Sequence, residues 1–128
     1  MIRVADLVIV CKEDMNIDIE LRLSAQKVLL GAVTQGLRAV SIESVGKVIM
    51  WRCIFGSEVA RESQSDILSV AALEIIADFP DGYRIEEEYL VVRVRDSEES
   101  KSNSLKHLKN IVYLRHERDS YPEIAINT

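Results

Sequence analysis

Three sets of side chains in this sequence have types and spacing that could do chemistry. Cys11 and Cys53 are possible nucleophiles or metal ligands, His107 and His116 are possible bases, and Glu86-Glu87-Glu88 is a run of carboxylates. A nucleophilic site needs a base within hydrogen-bond reach of a serine or cysteine, and both histidines fall near the C-terminus outside any recognisable catalytic frame. His116, flanked by Arg115 and Glu117, reads as a structural or solvated histidine. The two cysteines lie in separate apolar segments, where cysteine behaves as a small buried hydrophobe, and no CxxC or Cys/His cluster supplies zinc ligands at standard spacing. The glycines are dispersed, so no glycine-rich loop cradles a phosphate. Paired carboxylates could serve acid/base catalysis or hold a divalent cation. On a strand, however, neighbours point to opposite faces, so Glu87 leaves Glu86 and Glu88. We therefore expect no catalytic residue, no metal site and no cofactor. An enzymatic reading would need a pocket joining the carboxylates to His107 or His116.

Charge is more informative than any single motif. The chain of 128 residues is 48% apolar and 29% charged, which predicts one globular domain over residues 1–128. No window approaches the ~20 apolar residues of a membrane span; runs such as Leu7-Val8-Ile9-Val10-Cys11 are one strand long. The early acid Asp6 argues against a secretory signal, so the expected location is cytoplasmic. The net charge of −5 argues against direct nucleic-acid binding, which needs a basic surface. That charge is localised. Residues 74–99 hold nine acids and three bases, a net −6, while the remainder sums to +1. The candidate partner-binding residues are Asp78, Asp81, Glu86, Glu87, Glu88, Asp96, Glu98 and Glu99. Such a region is either a solvated face that aids solubility or a field that speeds encounter with a basic partner.

The elements that must position these residues follow from hydrophobic period. Leu21, Ala25, Val28, Leu29, Ala32 and Val33 recur at helical intervals and predict a helix over 18–33, with Gly36 at a left-handed stop. Gly31 would weaken that helix unless the boundary falls earlier or something packs closely there. Arg38, Val40 and Ile42 alternate with Ala39, Ser41 and Glu43 as a strand with one buried face. After a turn at Gly46, the nearly continuous apolar run 48–55 predicts a central strand pairing back as a hairpin. A second helix, capped by Ser63 or Ser65, runs to about Phe79 with Ile67, Val70, Ala71, Ile75 and Phe79 inward. A strand follows within 83–96, then a polar loop at 96–104 and a last strand at 110–116. The order α-β-β-α-β-β predicts an α+β two-layer sandwich: two hairpins, a mainly antiparallel four-stranded sheet, and two helices on one face. Residues 1–14 read as an extension or extra strand, with Met15 a plausible initiator, and 118–128 as a tail.

Five stretches carry a family resemblance: 25–31 (AQKVLLG), 37–41 (LRAVS), 74–80 (EIIADFP), 85–88 (IEEE) and 111–117 (IVYLRHE). They resemble small bacterial immunity proteins of contact-dependent growth-inhibition and related polymorphic toxin systems, a resemblance that covers roughly Leu23 to Glu117. The Ala-Asp-Phe-Pro and Ile-Glu-Glu-Glu segments are the most distinctive. The resemblance implies a cytoplasmic protein that binds a cognate toxin domain, basic and a nuclease, and occludes its active or nucleic-acid-binding site. It carries over no catalytic residues, and it places Asp78, Glu86, Glu87 and Glu88 on matching positions. Residues 1–14, the loop 96–104 and the tail depart from the pattern, and such loops are where specificity can reside. The competing expectation is a small self-associating structural or adaptor domain, with residues 2–11 adding an edge strand across a homodimer.

Overall fold

In a computed structural model of the chain, the described residues are 17–93 and 105–117. They form α1 (17–29), β1 (Leu37–Val45), β2 (Val48–Phe55), α2 (Glu58–Ala77), β3 (Arg84–Val91) and β4 (Asn110–Leu114). The expected α+β class and element order hold, with both helices packed on one face of an open four-stranded sheet. The extension 1–14, most of the polar loop and the tail 118–128 lie outside the described residues.

Sheet order is β3-β2-β1-β4. β1 pairs antiparallel with β2 and with β4, whereas β2 and β3 run parallel. The first hairpin forms as expected, turning at Gly46, whose φ of 61° is a left-handed conformation that glycine adopts without strain. The second expected hairpin does not form, because β3 and β4 occupy opposite edges. The cause is α2. A strand, a helix packed on the sheet and a returning strand make a crossover, which lays β3 beside β2 in the same direction.

The main core lies between helices and sheet. Leu21, Ala25, Val28 and Leu29 of α1 and Leu68, Ala71, Ala72 and Ile75 of α2 cover Val40, Ile42, Trp51, Cys53 and Phe55. Burying each large side chain of this set contributes roughly 1.5–3 kcal/mol. Trp51 is fully buried, and its indole Nε1 donates to the Leu68 carbonyl at 3.2 Å, so α2 is fixed on β2 by a polar as well as an apolar contact. α1 is tied down near its start and at its middle. Asp18 accepts from Lys109 Nζ (2.8 Å) and Asn110 Nδ2 (3.2 Å) beside β4, and Ser24 Oγ donates to Asp78 at 2.6 Å at the end of α2.

Several boundaries differ from the sequence expectation. α2 starts at Glu58 because Ser57, not Ser63 or Ser65, caps it: the Ser57 hydroxyl accepts from the Ala60 N–H at 3.1 Å. The inward stripe of α2 is also rotated, so that Leu68 and Ala72 are buried while Ile67 and Val70 face outward. α1 ends at 29, which leaves Gly31 in the following turn and Val33 exposed. Gly36 is not left-handed. Its small size is needed instead for close approach: an added Cβ would overlap Ala60 Cβ and come within 3.2 Å of Gln64 Oε1, which accepts the Gly36 N–H at 3.1 Å.

β1 is buried on both faces rather than one. On the outer face Ala39 and Ile54 pack with Leu105, from the segment 105–109 that crosses the sheet before β4. Leu108 N–H donates to Ser41 Oγ (2.9 Å), and Arg52 Nη1 donates to the Lys106 carbonyl (2.8 Å). The start of β1 departs from simple alternation at Arg38. Leu37 opposes Phe55 and Ala39 opposes Ile54, which makes Arg38 the extra residue of a β-bulge. Its guanidinium is wholly buried. Nε and Nη2 donate to Glu117 at 2.6 and 2.5 Å, and Nη1 donates to the Val92 carbonyl at 2.8 Å. Arg115 Nη2 approaches the same carboxylate at 3.1 Å. Burial would raise the Glu117 pKa, but the hydrogen bonds and charges of Arg38 and Arg115 outweigh it and hold the group below its ordinary value of 4.5.

Two stability predictions follow from these contacts. Glu117→Gln leaves the Arg38 charge buried without a counter-ion and is expected to cost about 3–5 kcal/mol in urea unfolding. Because the folded pKa of Glu117 is depressed, its contribution is complete above the unfolded value of about 4.5 and disappears as pH falls through the folded one. The wild type should therefore lose stability on acidification below about pH 4.5 more steeply than the variant. Gly36→Ala should cost about 1–3 kcal/mol by forcing α2 away from the turn, measured as a lowered urea midpoint.

Candidate functional site

The acidic segment is carried by the end of α2, the turn at 81–82 and β3, and the pleat of β3 sorts its charges onto two sides. Glu86 and Glu88 stand opposite Met50 and Arg52 on the outer face, while Glu87 stands opposite Trp51 on the helix side. Period-two geometry separates the three carboxylates as expected. Glu86 accepts from Arg84 at 3.3 Å, and Glu88 accepts from Arg52 at 2.7 Å. Both glutamates remain largely in solvent and border a cleft of about 200 Å³ with Met50 and Arg52. Exposed pairs of this kind contribute at most about 1 kcal/mol each, so their main effect is on the surface field.

Glu87 has a different role. Its Oε1 accepts from Ser69 Oγ of α2 at 2.8 Å and from the Tyr89 hydroxyl at 2.6 Å, linking β3 to the helix above it. Burial and the neighbouring carboxylate push the Tyr89 phenol above its ordinary pKa, so it stays a hydrogen-bond donor. Asp78 is the C-cap residue of α2. Its carboxylate accepts from Ser24 Oγ and from Lys27 Nζ (3.1 Å), and these bonds lower its pKa below the usual carboxylate value. Asp81 is exposed in the turn before β3. Asp96, Glu98 and Glu99 lie outside the described residues. The structure thus brings Glu86 and Glu88 together, places Asp81 in solvent, and engages Asp78 and Glu87 in contacts between elements.

Cys11 lies outside the described residues, and the cleft beside Glu86 and Glu88 has neither a histidine nor a cysteine in its lining. Cys53 lies in the helix-side core, and burial followed by the charge of Glu87 raises its thiol pKa far above neutrality, so no thiolate nucleophile is available there. His107 belongs to the segment crossing the opposite, outer face, and His116 lies beyond β4. Among the described residues there is no cluster of three or more His, Cys, Asp or Glu placed to hold a metal ion. No described helix is long and apolar enough to cross a membrane.

Sequence reasoning missed two features with a bearing on binding. One is the outward apolar face of the helices, formed by Ile19, Leu23, Leu30, Ile67, Val70 and Leu73. Its signal was available, since both helices carry more apolar residues than one buried stripe can use. The other is the anchoring of Glu117 on Arg38, which gives a structural meaning to the last residue of the resembling span.

Comparison with known proteins bears directly on this arrangement. No curated protein matches the chain. The family model described as MafI2 immunity protein matches residues 18–117, a span that runs from the first described helix to the glutamate that closes the buried arginine. With well over half of its length matched, the chain belongs to the MafI2 immunity protein family.

Proposed function

We propose that this protein neutralises a cognate nuclease toxin by binding the toxin domain and covering its active or nucleic-acid-binding site. Family membership supports a role against a toxin. The observation that extends this to a nuclease is the concentration of charge: residues 74–99 carry a net −6 in a chain of net −5. A nuclease must neutralise phosphates with a basic surface. An acidic protein face can occupy such a surface, and close charge pairs across interfaces accelerate association and fix register. Glu86, Glu88 and Asp81 are the exposed carboxylates of that face. Asp78 and Glu87 add to its field from bonded positions, and Asp96, Glu98 and Glu99 continue it in sequence.

In this reading the protein acts by steric and electrostatic occlusion and performs no chemistry of its own. It works in the cytoplasm, where a toxin delivered by contact-dependent growth inhibition would meet its nucleic-acid target. The acidic face governs the rate of encounter, and residence time depends on apolar contacts elsewhere.

The test pairs the purified protein with a candidate toxin domain, sought in the reading frame next to its gene. Binding at low salt and protection of nucleic acid from cleavage are expected, and absence of both would sink the proposal. Replacing Glu86 and Glu88 together by Gln should slow association about three- to tenfold at low salt and flatten its salt dependence, with folding unchanged. An unaltered rate and salt slope in stopped-flow mixing would mark the acidic face as solvated surface alone.

A further inference from the structure

α1 and α2 each carry a second apolar stripe on the side away from the sheet. On α1 it is Ile19 and Leu23, continued past the helix end by Leu30; on α2 it is Ile67, Val70 and Leu73. These side chains are between 45% and 90% exposed, although their own helices already bury a complete inward stripe. A helix that is apolar on two sides is ordinarily covered on both, and a contiguous exposed apolar patch marks an interaction surface.

Ile67 and Val70 of the α2 stripe border a groove of about 420 Å³ between α2 and the end of α1. Its walls are Val28, Ile67 and Val70, and its floor is low because Gly31, Ala32 and Ala71 are small. A side chain added at Gly31 would meet nothing within 4 Å, so the space above it is open. A second depression of about 300 Å³, around Leu23 and Phe79, adjoins it at Lys27. The surface therefore offers two adjacent sockets for apolar side chains.

Charge at the rim selects the occupant. Lys27, which borders both depressions, is already paired with Asp78 at 3.1 Å. Glu74 borders the larger groove and Glu20 the smaller, and neither makes an ion pair among the described residues. A second copy of this acidic chain would bring its own Glu20 and Glu74 to the same rim, placing like charges together. A basic protein with an apolar side chain beside lysine or arginine would instead satisfy both the slot and its carboxylates. Resting on the toxin-binding reading above, we propose that the groove between α1 and α2 receives an apolar anchor of the toxin domain, flanked by basic side chains that pair with Glu74 and Glu20. Here Glu74 and Glu20 make the charge contacts at the groove, while Glu86 and Glu88, on the opposite face of the sheet, act on the encounter only through the long-range field of the acidic chain.

The probe is the toxin domain found to bind in the test above, inactivated in its catalytic residue and immobilised for kinetic binding. Val70→Asp places a charge on the groove wall, at an exposed helical site outside the core. Gly31→Leu fills the floor while keeping it apolar, at a turn position without positive φ. Circular dichroism and thermal unfolding should show both variants folded. Each is expected to speed dissociation at least tenfold with little change in association, the reverse of the pattern for Glu86 and Glu88. Wild-type dissociation rates in both variants would overturn the groove while leaving the toxin-binding reading intact. If the wild type does not bind the toxin domain, both fall. If light scattering shows a wild-type dimer that Val70→Asp makes monomeric with toxin binding unchanged, a second copy occupies the groove and the proposal is overturned.

Discussion

The guanidinium of Arg38 is fully removed from water, and the fold is organised so that this charge is never left alone. It sits at the bulged start of β1 and gathers two other parts of the chain: the carbonyl of Val92 just after β3, and the carboxylate of Glu117 just after β4. Those two strands occupy opposite edges of the sheet, so a single planar group links the ends of both edges to the centre. Backbone bonds at the same end complete the closure, with Arg115 N–H donating to the Arg38 carbonyl at 2.8 Å and Val92 N–H to the Phe55 carbonyl at 2.9 Å. An arginine suits this place because its donors form a rigid fork that meets a carboxylate in two parallel bonds while a third points elsewhere. The ion pair is not a large net source of stability, since desolvation offsets most of its Coulomb energy. Its effect is to make other arrangements of these three segments costly.

Around that anchor the sheet separates two kinds of surface. The parallel crossover through α2 sets β3 on an edge, and the alternation of β3 divides its glutamates between an internal tether and an exposed pair. On the outer face the segment 105–109 shields β1, leaving the Glu86 and Glu88 side of the sheet open to solvent. On the helix side the inward stripes satisfy the sheet, and the outward stripes remain uncovered. The two layers thus present surfaces of different character, acidic beside β3 and apolar along the helices.

How much of this was legible in the sequence depended on range. The β1–β2 hairpin was readable because its alternation and its glycine turn are local. The sorting of Glu87 from Glu86 and Glu88 was readable because the pleat has a fixed period of two. The pairing of β3 was not, because parallel and antiparallel partners present the same alternation, and the choice is made by where α2 packs. In α2 itself, Ile67 and Val70 read as core by their hydrophobicity. The structure instead turns Leu68 and Ala72 toward the sheet beside the expected Ala71 and Ile75, since small residues let the helix approach Trp51 closely enough for the Leu68 carbonyl to accept the indole bond. Alternation set Arg38 in line with Val40 and Ile42, but its bulge and its ion pair were not readable, because a bulge leaves no mark in a hydrophobic pattern and the counter-ion is 79 positions away.

That separation has a kinetic side. During synthesis β1 is made early, yet its second neighbour β4 and the carboxylate that neutralises Arg38 come from the last part of the matched span. Until that part has left the ribosome, one edge of β1 is open and a charge destined for the interior has no counterpart. Pairings of such long sequence separation form slowly, because loop-closure entropy must be overcome before their contacts form. A partly made chain can hold the hairpin and α2 together but cannot complete the sheet, so folding of the whole domain waits until β4 and Glu117 have emerged.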